Sequence, residues 1–155
     1  MRVEYINPFT EAAYNILSQV LDGEIKRGDL YLKSNCTSVM GVAAIVGLAG
    51  DVEGRVLFDM SPDTALKIAS AMNQEQLTVL DELVRATITE LANLITAQAV
   101  TKLHDLGFRF DLTPPALFTG EKMEISNNNM EALIVPMDLP QGRIEINVAI
   151  RDRAN

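Results

Sequence analysis

The chain has 155 residues, of which 48% are apolar, so we expect residues 1–155 to form a single globular domain that buries a core without disulfides. Its 13 Lys and Arg against 21 Asp and Glu give a net charge of −8, and without a basic cluster nucleic acid is not expected as a partner. No apolar run approaches the ~20 residues that span a bilayer, and the first residues lack the pattern of a signal peptide, so we expect a cytoplasmic protein that does not enter membranes.

The amino-terminal region predicts a helix and then a short strand. Asn7 and Pro8 are typical of an N-cap and a first helical residue, and apolar residues recur at helical spacing from there until Gly23. Residues 30–33 then predict a short strand.

Two long strands are predicted next. Residues 38–49 and 53–60 are rich in β-forming residues, and the Gly50-Asp51 pair between them is a turn signal. These segments therefore predict a β-hairpin.

Two further helices follow the hairpin. A Ser-Pro-Asp sequence at 61–63 predicts the start of a second helix, which ends near Asn73. Residues 81–106 contain no Gly or Pro and predict the longest helix, which stops at Gly107.

The remaining residues predict strands. A Thr-Pro-Pro sequence at 113–115 fixes an extended entry into a strand over 116–119. Residues 131–138 and 142–150 predict two more strands, and the three asparagines at 127–129 predict a loop. Because helices and strands do not alternate regularly, we expect an α+β fold: a largely antiparallel sheet with two long helices packed on one face. No internal repeat is evident.

The longest predicted helix separates into two faces when its residues are placed 100° apart. The apolar face contains Val84, Ile88, Leu91, Ala92, Ile95, Ala99, Leu103 and Leu106. The opposite face contains Ala86, Glu90, Asn93 and Ala97, which we expect to be exposed.

Glu90 and Asn93 form an acid–carboxamide pair on that outer face, and Ala86 and Ala97 flank it where long charged side chains are usual. The small flanks are compatible with clearance for another protein's backbone. Spacing alone favours a plainer interpretation, a helix that uses alanine for its propensity and carries an accidental pair, because Glu-x-x-Asn alone is a weak pattern.

Longer segments resemble a known family. LDELVRATITELANLITAQA is similar to the helix motif of the CheC/CheX/FliY family, in which Glu-x-x-Asn lies in an E-L-A-N context. The segments YINPFTEAAYNIL, FDMSPDTALKIASAMN, LTPPALFTG and VPMDLPQGRIEINVAI resemble CheX-like members of that family over nearly the whole chain. The resemblance implies an enzyme that removes phosphate from the aspartate of a CheY-type response regulator in chemotaxis, a form of two-component signalling.

The resemblance also implies roles for residues. Asn93 would orient the attacking water, Glu90 would engage the regulator's lysine, and Ala86 and Ala97 would face the regulator. The enzyme would hold no cofactor of its own, Mg2+ would be bound by the regulator, and the chain would form a homodimer through sheet edges.

Three positions depart from the family pattern. Ala86 stands where many relatives have Ser or Asp, and Gln98 stands where many have Asn. The first helix carries Glu11 followed by Tyr14 instead of Asn, so one complete site is expected, as in CheX.

Other chemistries find little support in the sequence. Cys36, the single cysteine, has no partner for a disulfide or a zinc site and is expected to be a small buried side chain. His104, the single histidine, would lie about 16 Å along the helix from Asn93, and a serine hydrolase would need a Gly-x-Ser-x-Gly sequence that the chain lacks. The remaining alternative is a binding module that sequesters a regulator or another chemotaxis protein through the same helix face without dephosphorylating it.

Overall fold

A computed structural model describes residues 3–33, 36–126 and 130–153. Within these ranges there are three helices and ten strands. The helices are α1 (Val3–Val20), α2 (Pro62–Asn73) and α3 (Glu82–Asp105). The strands are β1 (Lys26–Arg27), β2 (Tyr31–Lys33), β3 (Cys36–Ser38), β4 (Val42–Gly50), β5 (Val52–Met60), β6 (Phe110–Leu112), β7 (Ala116–Thr119), β8 (Glu124–Ser126), β9 (Ala132–Leu139) and β10 (Gly142–Asp152).

Eight of the strands form one antiparallel sheet in the order β1-β9-β10-β5-β4-β6, with β2 also paired to β9 and β7 also paired to β4. β3 and β8 pair separately. One hydrophobic cluster joins the apolar sides of the helices to alternate residues of the long strands, so the helices cover one face of the sheet. The predicted α+β architecture, with the long helices α1 and α3 on one face, is confirmed.

The topology contains an internal repeat that the sequence analysis did not find. The order α1-β1-β2-β3-β4-β5 is repeated as α3-β6-β7-β8-β9-β10, and α2 lies between the two units. The hairpins β4–β5 and β9–β10 meet through the central β5–β10 pair. The first two short strands of each unit pair with the hairpin of the other unit, and the third short strands, β3 and β8, pair with each other. The two units share their topology and the spacing of their apolar residues but few identical residues. The repeat is therefore not evident in the sequence.

The predicted ends of α2 and α3 are confirmed by their capping contacts. The Ser61 side chain accepts a hydrogen bond from the Thr64 N–H at 3.1 Å, and the Asp81 side chain accepts one from the Val84 N–H at 3.1 Å. Gly107, which follows α3, has a φ of 97°, a conformation that glycine adopts without strain.

The predicted start of α1 is wrong. The helix begins at Val3, so Pro8 lies inside it and Asn7 is not its N-cap. The extra turn carries Tyr5, which is 1% exposed and packs edge-on against Phe108 at 5.1 Å between ring centroids. Burial of the Tyr5 ring is worth about 2–3 kcal/mol, and Ile6 in the same turn is also buried. Together these two side chains offset the ~3 kcal/mol that a proline inside a helix costs.

Leu106 is a second correction, because it is 60% exposed and not part of the buried stripe. The helix ends at Asp105, and the Leu106 N–H still bonds to the Lys102 carbonyl at 3.2 Å while the chain turns away at Gly107. The side chain of Leu106 therefore does not follow the helical spacing that would have placed it on the buried face of α3. The loop predicted at 127–129 lies outside the described ranges, and the structure describes the backbone of Cys36 but not its side chain.

A polar cluster lies on the sheet face opposite the helices. Asp59 on β5 is directly opposite Glu145 on β10, and Asp59 is only 2% exposed. The Met40 N–H donates to the Asp59 carboxylate at 2.8 Å, and the Tyr31 hydroxyl donates to Glu145 at 2.6 Å. Burial raises the pKa of Asp59 to about 6, and the facing Glu145 carboxylate adds to this rise.

The substitution Asp59→Asn is expected to remove a pH-dependent loss of stability. Because the folded-state pKa lies above the unfolded value of 3.8, the folded protein binds a proton that the unfolded chain releases, and stability falls as pH rises from about 4 to about 6. The difference between the two pKa values corresponds to a change of at most about 3 kcal/mol in the free energy of unfolding. Asn keeps an oxygen that can accept from Met40, so the variant should be more stable than wild type at pH 7.5 and similar to it at pH 4. Urea unfolding across this pH range measures the effect.

Asp111→Asn, at an exposed position on β6, is the matched control and should leave the pH profile unchanged. Parallel pH profiles for wild type and Asp59→Asn would contradict the assignment of this titration to Asp59.

Candidate active site

The orientation of α3 about its own axis is set by its buried side. Residues of the predicted apolar stripe that are at most 2% exposed are Val84, Ile88, Leu91, Ala92, Ile95, Ala99 and Leu103. The Asn73 side chain of α2 also donates to the Thr87 hydroxyl at 2.9 Å. Packing and this bond together determine which residues of α3 face outward.

The four residues predicted for the outer face are all exposed: Ala86, Glu90, Asn93 and Ala97. Neighbours three residues apart on a helix have Cβ atoms about 5–6 Å apart. Within the described part of the chain, neither Glu90 nor Asn93 makes a side-chain hydrogen bond or ion pair. Their polar groups are therefore available to a partner or to water.

An open groove of about 700 Å³ lies between this outer face and the segment that leads from β6 to β7. Its lining residues are Glu82, Arg85, Ala86, Thr89, Glu90, Asn93, Leu112, Thr113, Pro114 and Pro115. The groove brings together Ala86, Glu90 and Asn93, whereas Ala97 lies one turn beyond its lining.

The second wall of the groove, residues 112–115, was missed as part of the site by the sequence analysis, which assigned its two prolines a purely structural role. Leu112 is 37% exposed within the groove. The Thr113 N–H donates to the Gly47 carbonyl at 3.0 Å, and the Thr113 hydroxyl accepts from the Gly47 N–H at 2.7 Å. No local pattern places this segment beside α3, because its position follows from pairing with β4 far away in the sequence.

The functional groups of the groove suit positioning and hydrogen bonding. It offers the carboxylates of Glu82 and Glu90, the guanidinium of Arg85 and the carboxamide of Asn93. A carboxamide both accepts and donates hydrogen bonds, so it can hold a water molecule in one orientation. Among residues 3–33, 36–126 and 130–153, no group of three or more His, Cys, Asp or Glu side chains could hold a metal ion.

The equivalent face of α1 differs. Glu11 forms an ion pair with Lys102 of α3, and Tyr14, three residues on, is 49% exposed. Both line a second groove of about 440 Å³ together with Arg27 and Met137. This face has a carboxylate that is already paired and a phenol where α3 has a carboxamide.

His104 lies at the other end of α3. Its Nε2 is 3.3 Å from the backbone nitrogen of Phe110, which donates to it, so His104 joins the end of the helix to β6. None of the helices in the described ranges combines the length and apolar character needed to cross a membrane.

Comparisons with known proteins agree with this fold. Residues 42–138 match the family described as "Chemotaxis phosphatase CheX". The chain is 30% identical over 128 residues, 82% of its length and 83% of the relative's, to the CheY-P phosphatase CheX of Thermotoga maritima.

Solved structures are similar over almost the entire chain. A chain of the CheX–CheY–BeF3–Mg2+ complex from Borrelia burgdorferi is 48% identical with a TM-score of 0.85, covering 97% of this chain and 100% of that one. A CheC-like superfamily protein from Shewanella sp. PV-4 is 27% identical with a TM-score of 0.87, covering 97% and 99%. With the matching fold and the groove on α3, these similarities show that the chain belongs to the CheX family of chemotaxis phosphatases.

Proposed function

We propose that this chain hydrolyses the aspartyl phosphate of a CheY-type response regulator, with the outer face of α3 docked over the regulator's active site. The observation that carries the proposal is the exposed Glu90–Asn93 pair, whose polar groups are unpaired within the described residues and line an open groove. Relatives support it, since one is a CheY-P phosphatase and another was solved in a complex with CheY, BeF3 and Mg2+.

The reaction demands little covalent chemistry from the phosphatase. Water attacks phosphorus in line with the aspartyl oxygen, the phosphorus–oxygen bond to the aspartate breaks, and the regulator regains its carboxylate as inorganic phosphate leaves. Catalysis of phosphoryl transfer rests mainly on position and electrostatics. Mg2+ on the regulator supplies charge neutralisation, which is consistent with a phosphatase that needs no metal of its own.

Asn93 is the residue proposed to orient the attacking water. Its carboxamide accepts one hydrogen bond from the water and directs a lone pair at phosphorus, and the exposed position on α3 lets it enter another protein's active site. A hundredfold acceleration needs about 2.7 kcal/mol, which is within the range that one well-placed water supplies.

Glu90 is proposed to fix the register of the two proteins by pairing with the regulator's lysine. Ala86 and Ala97 leave room on either side of the pair, so the regulator's loops can approach the helix backbone closely. With a net charge of −8, the chain gains little long-range attraction to an anionic phosphorylated site, and association depends on short-range fit.

We also propose that residues 1–155 act as one domain and that two copies associate through sheet edges. One hydrophobic cluster joins the two repeated units, which supports the first statement. At the β2 edge Leu32 is 60% exposed, which supports the second. Light scattering of the purified chain measures its mass in solution, and a monomer at micromolar concentration would contradict the dimer.

The first experiment measures phosphate release from a phosphorylated CheY-type regulator with catalytic amounts of the chain. Several turnovers per molecule are expected of an enzyme, whereas a sequestering module would saturate at one equivalent and leave the phosphate in place.

Asn93→Ala is expected to lower kcat by at least about 100-fold, because the water loses its orienting group. Binding of the BeF3-activated regulator should change by no more than about threefold, since the removed interaction acts mainly in the transition state. Stopped-flow phosphate release and fluorescence titration measure the two quantities. Asn15→Ala, at an exposed position on α1, is the matched control. Full activity of Asn93→Ala would refute the assigned role.

Glu90→Gln keeps the size of the side chain and removes its charge. Losing a charge-assisted hydrogen bond to a lysine is expected to weaken regulator binding about tenfold. Glu75→Gln, an exposed carboxylate outside the groove, should bind like wild type. Wild-type affinity of Glu90→Gln would exclude the proposed lysine contact.

A further inference from the structure

We propose that residues 112–115 form a second, preorganised docking wall for the regulator, so that the regulator is held between α3 and this segment. The inference rests on the proposed function, because it assigns the same groove and the same partner. It adds a contact surface from a different part of the chain and a device that holds the surface in place.

The two repeated units supply an internal comparison. Residues 113–115 connect β6 to β7 beside β4, and residues 28–30 connect β1 to β2 beside β9. Each connection makes one backbone hydrogen bond to the neighbouring long strand: Thr113 N–H to Gly47 O at 3.0 Å, and Gly28 N–H to Pro136 O at 2.9 Å. Each connection is therefore attached to its neighbouring long strand by an equivalent backbone bond.

The connection beside Glu90 and Asn93 carries an additional bond that the other cannot form. The Thr113 hydroxyl accepts from the Gly47 N–H at 2.7 Å. In the other unit Gly28 has no side chain and Pro136 has no N–H, so neither half of such a bond exists. A Cβ on Gly47 would lie 3.0 Å from Thr113 Cγ2, so glycine also permits the close approach.

Proline stiffens the same segment further. Pro114 and Pro115 fix two successive φ angles, whereas Asp29 and Leu30 occupy the corresponding connection in the other unit. A segment with two fixed φ angles and two bonds to Gly47 loses little conformational freedom on binding. The rigid connection thus lies on the groove that contains the acid–carboxamide pair.

Leu112 gives the wall an apolar contact. Its side chain is 37% exposed and lines the groove opposite α3. Because the acidic chain gains little from long-range attraction to an anionic partner, burial of apolar surface at this wall is a source of affinity that charge does not supply. The expected occupant is the rim of the regulator's active site, in continuity with its contact to Glu90.

The test measures Kd for the BeF3-activated regulator and, separately, kcat for its phosphorylated form. Leu112→Ser is expected to raise Kd at least about fivefold and to leave kcat within about twofold, because the contact is the same in ground and transition states. Leu106→Ser, which changes an exposed leucine outside this groove, should leave both unchanged. Thermal unfolding of both variants establishes that they remain folded.

The hydrogen bond from Gly47 to the Thr113 hydroxyl is tested independently with Thr113→Val, which keeps the shape of the side chain and removes the hydroxyl. Kd is expected to rise about threefold, and Thr113→Ser should restore it, since serine keeps the acceptor. This pair decides the proposal if Leu112→Ser fails to fold. Wild-type Kd in Leu112→Ser or Thr113→Val would overturn the docking wall even if Asn93→Ala abolishes turnover. Loss of affinity with no turnover by wild type would support the wall and refute the phosphatase.

Discussion

Burial of one side of α3 against the sheet is the constraint on which the candidate site depends. Seven side chains of the stripe are at most 2% exposed, so rotation of the helix about its axis would bring several apolar groups into water at about 25 cal/mol per Å². The contact between Asn73 and Thr87 fixes the same orientation from the side of α2. Glu90 and Asn93 face outward because the apolar stripe on the opposite side of α3 is buried against the sheet.

The exchange of short strands between the repeated units makes the groove a composite structure. α3 and β6 belong to the second unit, but β6, β7 and the wall between them are held by β4 of the first. The distance across the groove therefore depends on how α3 packs against the sheet that contains β4. A rigid separation suits the proposed role of Asn93, in which its carboxamide is placed within hydrogen-bonding distance of a water in another protein's active site.

The sequence was informative where local chemistry decides the structure. Ser61 and Asp81 cap their helices as their residue types predict, and the alternation of burial along α3 follows its apolar spacing. It was misleading at Pro8, where burial of Tyr5 against distant aromatic rings outweighs the local preference. Strands of two or three residues, such as Lys26–Arg27, exist through pairing with β9 and have no periodicity of their own.

The candidate site was only partly predictable, because local spacing places some of its residues and distant strand pairing places the others. The outward position of Glu90 and Asn93 required only the spacing of α3, whereas the wall required knowledge that Thr113 meets Gly47, 66 residues away in the sequence. Roles for the pair came from resemblance to a family, because spacing alone favoured an accidental pair.

The two repeated units show how one frame supports unequal chemistry. Aligning their helices on the buried residues Phe9 and Ile88 places Glu11 at the position of Glu90 and Tyr14 at that of Asn93. A phenol cannot hold a water as a carboxamide does, since its single oxygen sits on a rigid ring farther from the helix. Glu11 is also paired with Lys102, so a partner's lysine would have to displace an existing contact.

The differences between the two units at the helix and at the connecting segment occur together. The unit that contains Glu90 and Asn93 also has the connecting segment with two prolines and the additional bond to Gly47. The other unit has neither the acid–carboxamide pair nor such a segment. This correlation fits the proposal that the first groove binds the regulator, whereas the second has the same architecture without these features.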